Sequence, residues 1–203
     1  MSNDKTVVDR LFKLQAKINM MVVDGKRNAW AVADVLQQII DEKQPQYLRY
    51  VQTITLAPTK GRATLAEAKT VFTGWIDEDF KTLDTDVSGE DTNETMVNVC
   101  EIIRDGSYGT FFASLGDPHK LVLTQGQIEE FCRSHRDSLW QEGLAACFLF
   151  EVRGMLFVAS VGESEDGELT VKLDDFNHDF FWLASFDHLR LVVKQQRCTY
   201  SML

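Results

Sequence analysis

The chain has 203 residues, of which 44% are hydrophobic and 26% charged, so its composition is that of a globular domain with a core of its own. It carries 21 Lys and Arg against 31 Asp and Glu, a formal net charge of −10. This balance argues against a broad phosphate-binding face, so direct binding to nucleic acid is not expected. The sequence has no long apolar run and no signal-peptide pattern, which predicts a cytoplasmic protein without membrane contact.

The four cysteines lie far apart and show neither a CxxC pair nor the Cys and His spacing of a zinc site: Cys100, Cys132, Cys147 and Cys198. Buried free thiols are therefore expected, and neither a metal nor a cofactor is predicted. The acidic charge leaves two explanations, a basic protein partner or simple solubility.

The N-terminal residues predict a helical hairpin. Apolar residues recur at steps of three and four over residues 7–21 and again over residues 32–40, with a break at residues 24–28 and a proline at Pro45. We divide the chain into this hairpin, residues 1–47, and an α+β domain, residues 48–203, with one continuous domain as the alternative.

The middle of the chain predicts a mixed segment. Residues 50–56 are rich enough in β-branched and apolar side chains for a strand. Thr64 and Glu67 match a capping box and predict a helix over the stripe that follows. A second helix is predicted from the spacing of Met96, Val99, Ile102 and Ile103.

The C-terminal part predicts a sheet. Thr124 and Gln127 form a second capping box and predict a helix, after which the apolar period changes to two. The strands expected at residues 147–152, 155–161, 169–173 and 181–193 predict an antiparallel β-meander of about four strands. The predicted fold class is thus α+β, with an N-terminal helical hairpin, a mixed middle segment and this meander.

The triplet Lys60, Gly61 and Arg62 is the candidate ligand-binding site. Two cations flank a glycine just before the predicted helix start, where free backbone N–H groups and the helix dipole favour an anion. The pattern therefore predicts a site for a small anion such as a phosphate or carboxylate. The alternative is that Gly61 supplies a turn with positive φ and that the cations are simply solvated.

Two further patterns have weaker support. Asp84, Asp86, Ser88 and Gly89 match the first positions of an EF-hand calcium loop, but Thr95 stands where the bidentate glutamate belongs, so an acidic interhelical loop is the preferred interpretation. The dipeptides at residues 178–179 and 187–188 place histidines beside aspartates among aromatic residues, and packing is their expected role. No catalytic residue and no metal ligand is predicted.

Four stretches, taken in order, resemble a family of uncharacterised bacterial proteins: TKGRATLAEAKTVFTGWIDEDF, the turn DVSG at residues 86–89, LTQGQIEEF and GLAACFLFEVRGMLFVASV. The resemblance covers roughly residues 48–195. It implies a bacterial protein in which the Thr-Lys-Gly turn and the LTQxQI start recur and Asp84 does not. The chain departs from the family at residues 186–193, where relatives tend to close with an aromatic, basic, valine-rich strand.

A non-catalytic binding or regulatory role is the functional hypothesis that these observations favour, with a protein partner or a small anion as the ligand. One alternative is an enzyme with a small-anion site near Lys60 and Arg62, because catalytic residues from distant segments can meet in space. Another is an acidic nucleic-acid mimic or inhibitor, which rests on charge alone.

Overall fold

A seven-stranded mixed β-sheet dominates the computed structural model of the protein, which describes residues 46–139, 145–177, 181–184 and 189–195. The strands, in chain order, are β1 (Leu48–Leu56), β2 (Trp75–Ile76), β3 (Thr95–Ile102), β4 (Ala145–Val152), β5 (Met155–Glu163), β6 (Leu169–Asp175) and β7 (Leu189–Lys194). Their order across the sheet is β1-β3-β7-β4-β5-β6-β2. The predicted hairpin at residues 1–47 lies outside the described residues except for its last two positions.

The last strand occupies the centre of this sheet. β7 pairs antiparallel with β3 on one side and parallel with β4 on the other. Five of its six residues are buried, which is the pattern of a strand covered on both faces. The remaining pairs are antiparallel, except that the short β2 runs parallel to β6 at the sheet edge.

The predicted C-terminal meander of about four antiparallel strands is wrong. β4, β5 and β6 do follow one another antiparallel, and Arg153 and Gly154, both at positive φ, make the tight turn between the first two. The chain then crosses back to the other side of β4. β7 begins only at Leu189, and the described residues 181–184 contribute a single bridge, between Trp182 and Gly106. A strand so fully buried needs neighbours on both sides, and β2 already occupies the outer edge of β6.

The described helices are short. They are α1 (Asp79–Thr82), α2 (Tyr108–Ala113), α3 (Gln125–Ser134) and α4 (Arg136–Leu139), with single 3₁₀ turns at Leu65–Glu67 and Pro118–Lys120. The predicted capping box of α3 is confirmed, because Thr124 Oγ1 accepts from the Gln127 amide and Gln127 Oε1 accepts from the Thr124 amide. Among the described residues, no helix has the length and apolar character that a bilayer span requires.

The helix predicted at Thr64 is wrong beyond its first turn. Only the Leu65–Glu67 turn forms, and the apolar residues Trp75–Ile76 further along the predicted helix form a strand. The Glu67 carboxylate accepts a hydrogen bond from the Lys81 ammonium, and the turn has no side-chain cap. The buried residues after the turn therefore enter the core from an irregular segment.

The helix predicted over residues 96–103 is wrong as well, because residues 96–102 belong to the strand β3. Val97 and Val99 face one core, while Cys100 and Ile102 face the other. Apolar residues on both faces of a central strand produce close spacings that also fit a helix, so periodicity alone could not separate the two.

Each face of the sheet has its own hydrophobic core. On the first face, α3 and residues 65–80 pack against the strands, and the largest buried side chains are Phe72, Phe80, Ile128, Phe131, Phe148 and Phe150. On the second face, α2 packs against the centre of the sheet through Tyr108, Phe111 and Phe112. A β-bulge in β1 between Tyr50 and Gln52 lets Leu48 join the second core although Ile54 joins the first.

We predict different effects for the two threonines that were expected to cap helices. Thr124→Val removes the hydroxyl that caps α3 while keeping the side-chain shape, so the free energy of unfolding should fall by about 1 kcal/mol in urea denaturation. Thr64 makes no side-chain capping bond, so the control Thr64→Val should change it by less than about 0.5 kcal/mol. Equal losses in both variants would contradict the observed caps.

Candidate functional site

The structure contains a crevice of about 720 Å³ beside the start of α3. Its floor is formed by the carboxyl ends of β4 and β7, where Phe150, Glu151 and Lys194 lie. The start of α3, at Thr124, closes one side. Residues 87–96 form the opposite wall and contribute Val87, Gly89 and residues 92–96.

The crevice exists because two parallel strands separate. The pairing of β4 with β7 runs only from Ala145 and Leu189 to Phe148 and Val192. Beyond that point residues 121–123 enter the gap: the Leu123 amide donates to the Leu149 carbonyl at 2.8 Å, and the Lys194 amide donates to the Leu121 carbonyl at 3.1 Å. These bonds pair the Leu149 carbonyl of β4 and the Lys194 amide of β7, which no longer face each other. The crevice lies next to this segment.

Gln125, at the start of α3, connects this helix to two other segments beside the crevice, at Leu65 and at residues 85–87. Its buried side-chain oxygen accepts from the Leu65 amide at 2.9 Å, and its side-chain nitrogen donates to the carbonyls of Thr85, at 2.7 Å, and Val87, at 3.3 Å. Gln127 ties the same helix start to β3, because its Nε2 donates to Thr95 Oγ1 at 2.9 Å. The start of α3 is thereby fixed against the wall at both Val87 and Thr95.

The predicted anion-binding triplet lies beside the wall of the crevice. The Gly61 amide donates to Asp91 Oδ1 and the Lys60 ammonium donates to Asp91 Oδ2, both at 2.9 Å. The group at this turn is thus a carboxylate of the chain itself. These two donors, the Gly61 amide foremost, hold the pKa of Asp91 below its usual range. Arg62 is exposed.

Gly61 is required by close packing and not by its backbone angles. It is absent from the positive-φ glycines, which among the described residues are Gly116, Gly154 and Gly167. A Cβ at Gly61 would collide with the Gly89 carbonyl oxygen and lie 2.7 Å from the Glu90 Cα. The interpretation of Gly61 as a turn residue with positive φ is therefore wrong.

Gly126 has a similar role at the start of α3. A Cβ there would lie 3.1 Å from the Lys60 carbonyl oxygen and 3.4 Å from Thr59 Oγ1. The two glycines together bring the 59–61 turn, the 89–91 segment and the helix start into backbone contact. This contact explains in physical terms why glycines stand in both the TKG and the LTQGQI stretches.

The charges on the crevice are mixed. Glu94 and Lys194 are exposed and carry opposite signs. Glu151 Oε2 lies 2.7 Å from His119 Nδ1, and this hydrogen bond raises the pKa of His119. His119 itself lines a second cavity, of about 470 Å³, so the pair sits between the two cavities.

The calcium-like loop does not have the geometry of an EF-hand. A strand, β3, follows it in place of the predicted helix, and Asp84 lies 3.9 Å from Arg153 in an ion pair. Within the described ranges no three His, Cys, Asp or Glu side chains converge as metal ligands do.

The thiols are held in their protonated form. Cys100, Cys132 and Cys147 are free and buried, and burial raises the pKa of Cys100 to about 11 and that of Cys147 to about 12. Such thiols are poor nucleophiles at neutral pH. Cys198 lies outside the described residues, as do both histidines of the His-Asp dipeptides.

A polar cluster near Cys147 fastens α2 to the sheet. Asp174 Oδ2 accepts from the hydroxyls of Ser160, at 2.8 Å, and Tyr108, at 3.2 Å, and Asp174 Oδ1 accepts from Lys172 at 2.7 Å. The Tyr108 ring packs on Trp182 with a centroid separation of 5.5 Å. Ser160 is bonded to a carboxylate and a phenol, without the imidazole that activates a serine nucleophile, so we assign the cluster a structural role.

Sequence reasoning identified Lys60, Gly61 and Arg62 but missed the partner that Lys60 and Gly61 bind, Asp91. It also missed Gln125, although the residue stands inside a stretch that was singled out for its capping box. Comparisons with protein-family models, with curated protein sequences and with solved structures find no match to this chain.

We predict that the pKa of His119 is raised from the usual histidine value because the hydrogen bond with Glu151 stabilises its protonated form. The charged pair should be present at low pH and be lost as the pH rises through the raised pKa of His119. Two-dimensional NMR of the imidazole resonances would measure the midpoint. Glu151→Gln should lower it, whereas Glu165→Gln, a change of an exposed glutamate in the turn between β5 and β6, should not. An unchanged midpoint in Glu151→Gln would show that the pair does not form in solution.

Proposed function

We propose that the protein is a non-catalytic binding protein whose ligand occupies the crevice at the carboxyl ends of β4 and β7. The observation that carries this proposal is the separation of two adjacent parallel strands over a cavity of about 720 Å³. In open sheets with parallel strands, ligands bind where neighbouring strands diverge at their carboxyl ends. The volume falls within the usual size range of ligand sites.

The lining of the crevice favours an amphipathic ligand. Val87 and Met96 expose apolar side chains on the wall, whereas the polar side chains of Thr95, Thr124 and Gln127, which also line the crevice, are bonded to one another. Glu94 and Lys194 place one charge of each sign at the rim. A short polypeptide segment combines an apolar side chain, backbone polar groups and charges of both signs, so a peptide segment of a partner protein is the ligand that we propose.

An enzyme with a small-anion site has less support. Its proposed cations flank Gly61, and the Gly61 amide and the Lys60 ammonium already bind Asp91. An external anion would have to displace this carboxylate before it could bind.

The nucleic-acid mimic also has less support. In the described part of the chain, ten carboxylates form ion pairs with cations of the same chain, and these pairs are distributed over strands, helices and loops. A mimic of the phosphate backbone requires a stripe of carboxylates that remain available for a basic partner.

Selection of peptides from a library of random heptapeptides, displayed on phage, tests the proposal. Selected peptides should bind the parent protein in calorimetry, and Met96→Arg should weaken binding by about tenfold because it places a long cation on the apolar wall. Met155→Arg is the matched control, since Met155 is similarly exposed, 57% against 50%, and lies on the second cavity.

Two outcomes would contradict the proposal. One is a selection that enriches no peptide able to bind the folded parent. The other is a set of peptides whose affinity falls with Met155→Arg and not with Met96→Arg, because this result would place the binding site on the second cavity.

A further inference from the structure

The wall of the crevice contains a segment that is fixed at both ends and held only lightly between them. We define the strap as residues 87–92. At its start, the Val87 carbonyl accepts from buried Gln125, and the Val87 amide donates to the Thr85 carbonyl at 2.8 Å. At its end, Thr92 and Thr59 exchange two backbone hydrogen bonds, of 2.9 and 3.1 Å, and their hydroxyls lie 2.8 Å apart.

The middle of the strap is exposed and has one side-chain fastening. Residues 88–91 are all exposed. Asp91 accepts hydrogen bonds from the Gly61 amide and from the Lys60 ammonium. In the ion pair, the side chain of Asp91 is 64% exposed and that of Lys60 is 86% exposed. Ion pairs between such exposed groups contribute little to stability, so the part-buried hydrogen bond from the Gly61 amide is the main component of this fastening.

The inner side of the strap faces the crevice. Gly89 lies against the N-cap of α3, and a Cβ built on Gly89 would be 3.9 Å from Thr124 Cβ. Val87, Gly89 and Thr92 all line the cavity. Movement of residues 88–91 away from α3 would therefore widen the crevice without breaking any strand of the sheet, and it would weaken the Thr59–Thr92 bridge at the end of the strap.

We propose that the strap is a gate over the crevice and that Asp91 is its latch, bound in the cradle formed by Lys60 and the Gly61 amide. The gating role rests on the proposed function, since it regulates entry to the same crevice. The latch itself is a property of the unliganded chain. A ligand that enters would bind the open strap and shift the population away from the latched state.

The latch is tested first without any ligand, by hydrogen exchange of the full chain followed by NMR. Asp91→Ala should accelerate exchange of the Thr59 and Thr92 amides roughly three- to tenfold, because the strap loses the fastening next to their bridge. Exchange within α3 should be unchanged. Asp117→Ala is the matched control: Asp117 is also exposed, accepts from the His119 amide and pairs with Lys120, far along the chain from the strap.

The gate is tested with a reversible cross-link. The variant Gly89→Cys with Thr124→Cys, prepared with Cys198→Ser to remove one competing thiol, has a Cβ separation of 3.9 Å, which suits a disulfide. Oxidised glutathione should close the bond and lower the affinity for the heptapeptides selected on the parent by at least about tenfold. A reductant should restore it, and the reduced protein controls for the substitutions themselves.

The outcomes separate the two proposals. Unchanged exchange at Thr59 and Thr92 in Asp91→Ala, or exchange that rises equally in Asp117→Ala, would overturn the latch whether or not a peptide binds. Equal peptide affinity in the oxidised and reduced double variant would overturn the gate. Failure of the library to yield any binding peptide would contradict the proposed function and leave the exchange result to decide the latch.

Discussion

The position of β7 is the constraint on which the rest of the structure depends. A strand with five of six residues buried must have a neighbour on each side and a covered face above and below. Insertion between β3 and β4 meets this requirement and forces one parallel pair into an otherwise mostly antiparallel sheet. The layers of α2 and α3 on opposite faces follow from the same requirement, because both faces of the central strands are apolar.

The crevice is a consequence of that insertion. The chain returns to β7 from the far side of the sheet, so β7 shares only four paired positions with β4 before the strands diverge. Residues 121–123 satisfy part of the exposed strand edges, and the capped start of α3 follows directly. A fully antiparallel meander, as the sequence pattern suggested, would place β7 outside β6 and would form no such gap.

The parts of the fold that could be predicted depend on neighbours in sequence. The capping box at Thr124 uses residues three apart, and the turn at Arg153 and Gly154 joins adjacent strands, so both have local signals. Strand order has no local signal. The pairing of β7 with β4 joins residues more than forty positions apart, and alternation of apolar residues is the same whichever neighbour a strand takes.

Local patterns also failed where both faces of an element are buried. The spacing of Met96, Val99 and Ile102 fits a helix, yet these residues lie on a central strand whose two faces meet different cores. Thr64 and Glu67 fit a capping box, yet Glu67 forms its ion pair with Lys81. In each case contacts with distant segments outweighed a preference that is weak by itself.

At the candidate site, too, the sequence indicated some of the residues but not the group that they bind. The sequence predicted a site for an external anion at Lys60, Gly61 and Arg62, and in the structure Lys60 and the Gly61 amide bind the carboxylate of Asp91 from the same chain. The sequence contains 31 acidic residues and offers no means of selecting Asp91 among them. The selection comes from backbone contact: Gly61 permits the approach of residues 89 and 90, and this approach alone brings the carboxylate within reach.

That backbone contact also determines how strongly the segment is held. Gly61 and Gly126 remove the side chains that would separate the 59–61 turn from the wall and from α3, so three stretches of main chain pack at close range. Main-chain packing of this kind fixes position, whereas the exposed pair of Lys60 and Asp91 adds little energy. The wall is consequently well defined in position, and its release requires the loss of this main-chain contact together with the two bonds to Asp91. If the strap opens as we propose, the floor formed by the sheet and α3 would stay in place while one loop moves, as it does in sites that are gated by a loop.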